Sequence, residues 1–225
     1  MWVVIPTIGY SKLLISLIKD LQQDKLIDKI ILTVNQKEYV DQIKKIIGFD
    51  NPAIEIVETW LMGKSIHHGW NAAIEMARRE NALLAILNDD IRIMRYDSIS
   101  IVARILSDNP SYALIGLNWQ TPDNADDVDR ELRQVHGSYR HGGVGGWAWV
   151  CDPHKIVLVP DGLVWWYGDD HIFFSAEQDG HHIGIANNIY VEHINEHTAN
   201  SGDQNWTHDS KEKDYKKFQR LWPGQ

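Results

Sequence analysis

Two adjacent acids follow an apolar segment near the middle of the chain, and their position suggests metal chemistry. Residues 82–87 are wholly apolar and are followed directly by Asn88, Asp89 and Asp90. Like charges held this close repel each other, and burial raises the energetic cost. A divalent cation with a diphosphate as co-ligand would relieve the repulsion, and Mg²⁺ and Mn²⁺ prefer such oxygen ligands. A plain strand-to-loop turn is the competing interpretation, because Asn and Asp are common in turns.

A second motif lies late in the chain, where residues 193–197 read His-Ile-Asn-Glu-His. This spacing matches the inverted zinc-protease motif, which requires both histidines on one face of a helix. The segment follows a β-branched run over 183–191 and continues into a loop-like stretch, so the sequence disfavours a protease. Ordinary histidines with structural hydrogen bonds are the other interpretation of His193 and His197.

Aromatic residues, glycines and one lysine provide weaker candidates for ligand contact. Trp147, Trp165 and Trp166 could stack on a sugar or a base, with core packing as the alternative. The glycine-rich residues 142–146 favour a flexible hinge over close approach to a ligand. Lys64 precedes a predicted helix and could contact a phosphate or ribose, although a solvated lysine is the default interpretation there.

The elements that must position these residues alternate between strand and helix over the first half. Strands are predicted over 2–6, 29–34, 53–57, 82–87 and 112–118, and helices over 11–21, 39–47, 65–79 and 98–106. The second half adds predicted strands over 147–150 and 183–191, a helix from 168 and an amphipathic tail from 211. Strict alternation predicts an α/β fold with a mostly parallel central sheet flanked by helices. Such sheets bind ligands at the carboxyl ends of their strands, where Thr7, Asn35 and Glu58 also lie.

The composition excludes several classes of protein. The chain has 225 residues, a single Cys and a formal net charge of −9, which argues against a disulfide scaffold and against a broad basic nucleic-acid face. There is no candidate membrane span or signal peptide, so a cytoplasmic location is expected. No linker or repeat divides the chain, and we expect one domain over 1–225, with a donor-binding half (1–118) and an acceptor-side half with a C-terminal tail (119–225).

Four short motifs together resemble the family 2 glycosyltransferases of the GT-A fold. They are Val-Val-Ile-Pro-Thr in the first strand, Asn88-Asp89-Asp90 after the fourth, residues 166–170 (Trp-Tyr-Gly-Asp-Asp) with Gly180 ten residues later, and Val191-Glu192-His193 in a late strand. The motifs occur in the family's order and cover about residues 1–197. The resemblance implies a Rossmann-like GT-A fold with a smaller C-terminal acceptor-side portion.

The resemblance also implies roles for individual residues. Asp90 and His193 would hold Mn²⁺ or Mg²⁺, and Asp170, with Asp169 beside it, would be the general base. The positions expected to contact the nucleotide-sugar donor are Thr7, Asn35, Glu58, Lys64, Asn88 and Asp89. The positions expected to contact acceptor or phosphate are Trp147, Trp166 and His197.

This sequence differs from the family's motifs in ways that bear on the identity of the nucleotide. Asn88 stands where the first Asp of the Asp-x-Asp motif is usual, and Asn35 stands where an acid often contacts the base. Asp169 replaces the usual Glu of the Glu-Asp pair. The arginine common about two turns later is missing, with Ala176 and Glu177 there instead.

The resulting expectation is a hexosyltransferase-like enzyme with a UDP-linked donor and an inverting reaction. The acceptor could be a glycoside, a lipid-linked sugar, a protein or a modified DNA base. Two alternatives remain open at this stage. One is a nucleotidyltransferase that makes an activated sugar, although the segment after the first strand lacks the usual glycine-rich basic loop. The other is a non-catalytic relative that binds a nucleotide-sugar.

Overall fold

The computed structural model of the chain describes residues 1–7, 12–47, 52–62, 65–118, 132–138, 142–194 and 205–225. The strands are β1 (Trp2–Thr7), β2 (Lys29–Val34), β3 (Ile54–Glu58), β4 (Leu84–Leu87), β5 (Ile91–Ile93), β6 (Tyr112–Asn118), β7 (Leu132–Val135), β8 (Ala148–Cys151) and β9 (His182–His193). The helices are α1 (Lys12–Leu21), α2 (Lys37–Ile47), α3 (Ile66–Arg79), α4 (Ser98–Asp108), α5 (Gly168–Gln178) and α6 (Asn205–Leu221), with a 3₁₀ turn over Thr59–Met62. None of the helices in these ranges has the length and hydrophobicity of a transmembrane span.

One nine-stranded sheet organises the fold. Its strand order is β3-β2-β1-β4-β8-β6-β9-β5, with β7 beside β9. The pairs β1–β2, β1–β4, β2–β3 and β6–β9 are parallel, whereas β8 lies antiparallel between β4 and β6. The strands β1, β2, β3, β4, β6 and β9 therefore point in one direction, and their carboxyl ends form one edge of the sheet.

Helices cover both faces of the sheet and enclose an apolar layer on each. On one face, α1, α2 and α4 contribute Leu14, Leu17, Val40, Ile43, Val102 and Leu106 to the core. On the other face, α3, α5 and α6 contribute Trp70, Ala73, Ile74, Phe173 and Phe218. Because both faces are buried, the central strands are almost uninterrupted apolar runs, as expected for parallel strands between two helical layers. This three-layer α/β architecture confirms the predicted fold class.

The boundaries of the predicted elements are correct to within a few residues, but two strands were missed. The predicted amphipathic tail from 211 belongs to a helix that begins at Asn205. β5 has only three residues, with the exposed Arg92 between Ile91 and Ile93. β7 is four residues long and half polar, and it pairs only with β9. Neither short segment has the apolar length or alternation that identifies a strand in a sequence. Strands from both sides of residue 118 share the sheet, since β8 and β9 pair with β4 and β6.

The sheet register brings late residues to the edge where β4 ends. Leu87 pairs with Ala148, so Asn88 lies beside Trp147, and the Asn88 amide donates to the Trp147 carbonyl at 2.8 Å. β9 shifts register between Ala186 and Tyr190, and its last residues pair with β5. In that pairing Ile91 faces His193. The register thus places His193 of the late motif next to Asp90 of the Asn88-Asp89-Asp90 motif.

Candidate active site

Thr7 and Asp89 form the first contact of the candidate site. The Thr7 hydroxyl at the end of β1 donates to Oδ2 of Asp89 at 2.6 Å, and the Asn35 amide donates to the Thr7 carbonyl at 3.0 Å. Thr7 and Asn35 are buried. Three residues predicted to face the nucleotide therefore lie together at the carboxyl ends of β1, β2 and β4, because these strands are parallel neighbours.

The electrostatics of this edge are dominated by its acids. Burial raises the pKa of Asp89 to about 7, and the negative charge of Asp90 acts in the same direction. The hydrogen bond from Thr7 and the nearby ring of His193 oppose this rise. This edge of the sheet therefore carries two carboxyl groups, those of Asp89 and Asp90, and a single partly buried imidazole to balance them at neutral pH.

Asp90 and His193 form the second contact. Oδ1 of Asp90 lies 3.2 Å from Nε2 of His193, and both side chains are mostly buried. The pairing of β5 with β9 sets this distance, and the Ile194 amide donates to the Asp90 carbonyl at 2.9 Å. Backbone hydrogen bonds thus fix the backbone of His193 at the end of β9 and of Asp90 in the turn before β5.

The donor atoms of this pair fit one divalent cation. Octahedral Mg²⁺ or Mn²⁺ binds ligands at about 2.1 Å, which puts neighbouring ligand atoms about 3 Å apart. The Asp90 and His193 atoms lie at that separation, and Nε2 of His193 is buried without a hydrogen bond to the described residues. No group of three or more His, Cys, Asp or Glu side chains gathers as a metal site in the part of the chain that the structure describes. A cation held by these two residues would have coordination positions left for an oxygen-rich co-ligand.

The indole ring of Trp147 lies beside the Asp90–His193 pair. Its ring stacks on the His193 imidazole with centroids 5.4 Å apart and an angle of 18° between the planes. The Asn88 amide fixes the same residue through its carbonyl. Trp147 is half-buried and belongs to the candidate site, as predicted for an acceptor or phosphate contact, although its role there stays a prediction.

The glycines before Trp147 lie in close contact with their neighbours, and the predicted hinge stays a prediction. A Cβ at Gly145 would lie 2.1 Å from the Trp147 ring, and one at Gly146 would lie 2.3 Å from Oδ2 of Asp169. A Cβ at Gly143 would meet the Gly137 carbonyl at 1.9 Å. At Gly143, Gly145 and Gly146 an added side chain would therefore require its neighbours to move.

Asp169 and Asp170 occupy the first turn of α5, where carboxylates are favoured by the helix dipole. The Asp169 carboxylate lies against Gly146, next to Trp147. Asp170 is only 2% exposed. Tyr167 precedes the helix in a left-handed conformation (φ 64°) and supplies no side-chain capping hydrogen bond. Asp169 therefore lies beside the Gly146–Trp147 segment and is the more exposed of the two acids.

The structure shows other partners for two of the predicted contact residues, Glu58 and Trp166. The Glu58 carboxylate, at the end of β3, accepts from Lys44 at 3.0 Å and from Trp60 at 3.1 Å, and these bonds lower the pKa of Glu58. The Trp166 ring lies 5.0 Å from the Lys211 ammonium on α6. Lys64 and His197 lie outside the described residues.

The protease interpretation of residues 193–197 is wrong for the first histidine. His193 is the last residue of β9, and zinc-protease histidines share one face of a helix.

The sequence analysis did not single out Gly146 as a neighbour of Asp169, nor Asp214 in the C-terminal tail. Asp214 is fully buried and accepts hydrogen bonds from three backbone amides just before α5. Its only sequence signal is the helical spacing between Asp214 and the apolar Phe218.

The sheet order, the two helical layers and the acidic site at the carboxyl edge define a GT-A fold. The solved structure of S. aureus TarS 1–349 is similar over 85% of this chain and 59% of its own, with 11% identity and a TM-score of 0.61. The mannosyltransferase PcManGT from Pyrobaculum calidifontis, in complex with GDP-Man and Mn²⁺, is similar over 86% of this chain and 56% of its own (12% identity, TM-score 0.61).

A third similar structure is the glucosyl-3-phosphoglycerate synthase from Mycobacterium tuberculosis in complex with Mn²⁺, UDP and phosphoglyceric acid. It is similar over 86% of this chain and 70% of its own, with 11% identity and a TM-score of 0.62. The chain thus spans less than two thirds of TarS 1–349 and of the mannosyltransferase. No protein-family model and no curated protein matches the sequence.

Proposed function

We propose that this chain is a metal-dependent glycosyltransferase that moves a sugar from a nucleoside diphosphate, UDP in the first instance, to an acceptor hydroxyl. The Asp90–His193 pair at the carboxyl edge of a GT-A sheet is the observation that carries this proposal. Solved structures with the same fold were obtained with Mn²⁺ and GDP-Man, and with Mn²⁺ and UDP, which supports both the donor class and the metal.

Each residue at the sheet edge has a donor-side role in this proposal. Asp90 and His193 would hold the cation, Mn²⁺ or Mg²⁺, which when bound neutralises charge that develops on the departing diphosphate. Thr7 and Asn35 would contact the nucleoside, because they end the strands on the far side of β4 from the metal pair. Asn88 would contact the ribose or the sugar. Glu58 and Lys64 complete the predicted donor contacts.

The transfer step requires one proton acceptor on the opposite side of the sugar. An acceptor oxygen forms a bond to the anomeric carbon while the bond from that carbon to the diphosphate oxygen breaks. The hydroxyl proton passes to a carboxylate, assigned to Asp170 with Asp169 beside it, and the nucleoside diphosphate leaves with the bonding electron pair. In-line attack with a single base inverts the anomeric configuration.

The acceptor side is assigned to Trp147, Trp166 and His197. Trp147 stacks on His193, and the preceding Gly146 lies against the Asp169 carboxylate, so the Trp147 ring would lie between the donor diphosphate and the base. Aromatic faces suit the apolar face of a sugar ring. A hydroxyl held over this ring would have a carboxylate within reach.

Ligand-dependent melting tests the proposal. We expect UDP with Mn²⁺ to raise the melting temperature more than the sum of the two separate effects, since diphosphate oxygens would complete the coordination sphere. Slow hydrolysis of a UDP-sugar that is lost in Asp170→Asn, with UDP–Mn²⁺ binding retained, would separate an enzyme from a binding protein. Turnover of a nucleoside triphosphate and a sugar phosphate would instead identify a nucleotidyltransferase. The absence of any nucleotide effect would contradict the assignment.

A further inference from the structure

One face of the C-terminal helix α6 contacts the start of α5 and the segment that leads into it. Five side chains at helical spacing make these contacts, and they come from Lys211, Asp214, Tyr215, Phe218 and Trp222. The spacing of three or four residues places them along one stripe of the helix and its C-terminal extension. Their partners lie between residues 164 and 174, which include the Asp169–Asp170 pair.

Asp214 makes the polar part of this contact. Its Oδ2 atom accepts hydrogen bonds from the amides of Val164, Trp165 and Trp166 at 3.1, 2.8 and 2.9 Å. The Asp214 side chain is fully buried. Successive amides that converge on one anionic oxygen form charge-assisted bonds, which are shorter and stronger than neutral ones.

Aromatic contacts extend the attachment on either side of Asp214. The Tyr167 ring stacks on Phe218 at 5.0 Å and lies 5.8 Å from Tyr215. Within α5, Nδ1 of His171 accepts from Nε1 of Trp222 at 3.1 Å. Tyr167, two residues before Asp169, is therefore held by α6, and His171, directly after Asp170, is held by Trp222 at the end of this helix.

The contacts from α6 support the start of α5 from outside that helix. Tyr167 at the N-cap adopts φ 64° and gives no side-chain cap, so the helix does not fix its own first turn. An uncapped first turn leaves amide groups without helical partners and frays readily. The Asp214 carboxylate instead fixes the three residues just before that turn.

We propose that Asp214 is a positioning residue for catalysis, which holds the first turn of α5 so that the Asp169–Asp170 carboxylates face the acceptor. This inference rests on the proposed glycosyltransferase function. Asp214 touches no reacting group and acts through the backbone of residues 164–166. The donor side lies on β1, β4 and β9, so loss of Asp214 should slow turnover while metal and nucleotide binding persist.

Asp214→Asn is the main test variant. The amide oxygen of the new Asn side chain can still accept hydrogen bonds, but the negative charge is lost. Its NH₂ group would take the place of Oδ1 of Asp214, an atom that is buried without a hydrogen-bond partner among the described residues. Phe218→Leu is a second variant, which removes the stacking on Tyr167 and keeps an apolar side chain. Glu212→Gln is the matched control, because Glu212 is an exposed acid on the same helix that pairs with Lys216.

The experiment compares three measurements on the full chain. The first is the rate of donor hydrolysis, with whichever of UDP-glucose, UDP-GlcNAc and GDP-mannose the wild type accepts. The second is the affinity for UDP with Mn²⁺, measured by calorimetry. The third is amide hydrogen exchange of residues 164–170. For Asp214→Asn we expect kcat to fall at least about tenfold through misorientation of the base. The UDP–Mn²⁺ affinity should stay within about twofold, because the hydrogen bonds of Asp214 go to residues 164–166 and not to the strands of the donor side. Amide exchange over 164–170 should accelerate, with Phe218→Leu intermediate and Glu212→Gln unchanged.

Two results would overturn the positioning role. One is a kcat for Asp214→Asn equal to that of Glu212→Gln while amide exchange over 164–170 is accelerated. The other is an equal loss of kcat and of UDP–Mn²⁺ affinity in both Asp214→Asn and Phe218→Leu, which would indicate general destabilisation. If the wild type neither binds UDP with Mn²⁺ nor hydrolyses any of the three donors, the proposed function fails as well.

Discussion

The carboxylate of Asp90 and the imidazole of His193 lie 3.2 Å apart although they come from opposite halves of the chain. The three-residue strand β5 creates this contact by pairing with the end of β9. β5 follows the acidic motif directly, so the same backbone that carries Asp90 also fixes the position of its partner. Backbone pairing thus fixes the positions of both residues, which suits a cation site whose remaining ligands come from a substrate.

The first prediction concerns the metal pair. In Asp90→Asn and in His193→Ala, the joint effect of UDP and Mn²⁺ on the melting temperature should disappear. A ligand at 100 times its Kd adds about 2.7 kcal/mol to the free energy of unfolding, and for a domain of this size that is a rise of roughly 5–10 °C. Scanning fluorimetry or calorimetry with each ligand alone and with both measures the effect.

A control for the metal pair is available on the same strand. Glu192→Gln removes the neighbouring acid, which is exposed and pairs with Arg92. This variant should keep the full joint effect of UDP and Mn²⁺. If both pair variants also kept it, the cation would have to bind elsewhere on the protein.

The second prediction separates the two acids of α5. Asp170→Asn should reduce donor hydrolysis by about 10²- to 10⁴-fold, the usual contribution of a general base, with unchanged UDP–Mn²⁺ affinity. Asp169→Asn should reduce donor hydrolysis less, because that carboxylate lies against Gly146 and has a packing role beside the acceptor. Steady-state kinetics of both variants measures this order. The reverse order would assign the base to Asp169.

The third prediction concerns the contact between Gly146 and Asp169. In Gly146→Ala the new methyl group would lie 2.3 Å from the Asp169 carboxylate, which must then move. Because small displacements of catalytic groups are costly, kcat should fall about tenfold or more. The backbone of Gly146 does not lie in the left-handed region, so a large loss of stability is not expected. Kinetics and thermal melting measure the two effects.

Gly184→Ala serves as the comparison for Gly146→Ala. Its methyl group would also make close contacts, at 2.8 Å from the Leu132 side chain and 2.9 Å from Tyr112, but on β9 away from the acidic edge. We expect it to lower stability and to leave kcat unchanged. Equal losses of kcat in both variants would mean that Gly146 acts only through packing.

Much of the fold could be predicted from the sequence because its buried strands are long and apolar. The runs at Lys29–Val34 and Tyr112–Asn118 have the predicted boundaries, and α5 begins at the predicted Gly168. The position of β8 could not be predicted. Its antiparallel placement between β4 and β6 depends on pairing between distant segments, which a local pattern does not encode.

The candidate site was predictable in part for the same reason. Polar residues at strand ends identify the ligand edge, and Thr7 and Asp89 do meet there. The proximity of His193 followed only from the family resemblance, because it depends on the pairing of β5 with β9. The contact of Gly146 with Asp169 and the role of Asp214 before α5 depend on tertiary packing. A glycine run and a charged helix have many structural interpretations when seen in sequence alone.

The last prediction concerns acid stability and the buried His67 on α3. Its Nδ1 donates to the Leu163 carbonyl at 2.8 Å, and burial lowers the pKa of His67 from 6.5 to about 4, helped by the nearby His68 and His171. The unfolded chain therefore takes up this proton first, so stability should fall as the pH drops from about 6.5 to 4. The loss attributable to His67 is about 3 kcal/mol.

Urea unfolding between pH 4 and pH 7.5 measures this effect of His67. His67→Asn keeps a donor for the Leu163 carbonyl but cannot be protonated, so the variant should lose up to about 1.4 kcal/mol less stability per pH unit than the wild type over that range. Other titrating groups contribute equally to both proteins and cancel in the difference. If the free energy of unfolding of the two proteins depended on pH in the same way, His67 would take up its proton equally in the folded and the unfolded chain. That result would contradict the burial of His67 as a neutral imidazole against Gly168.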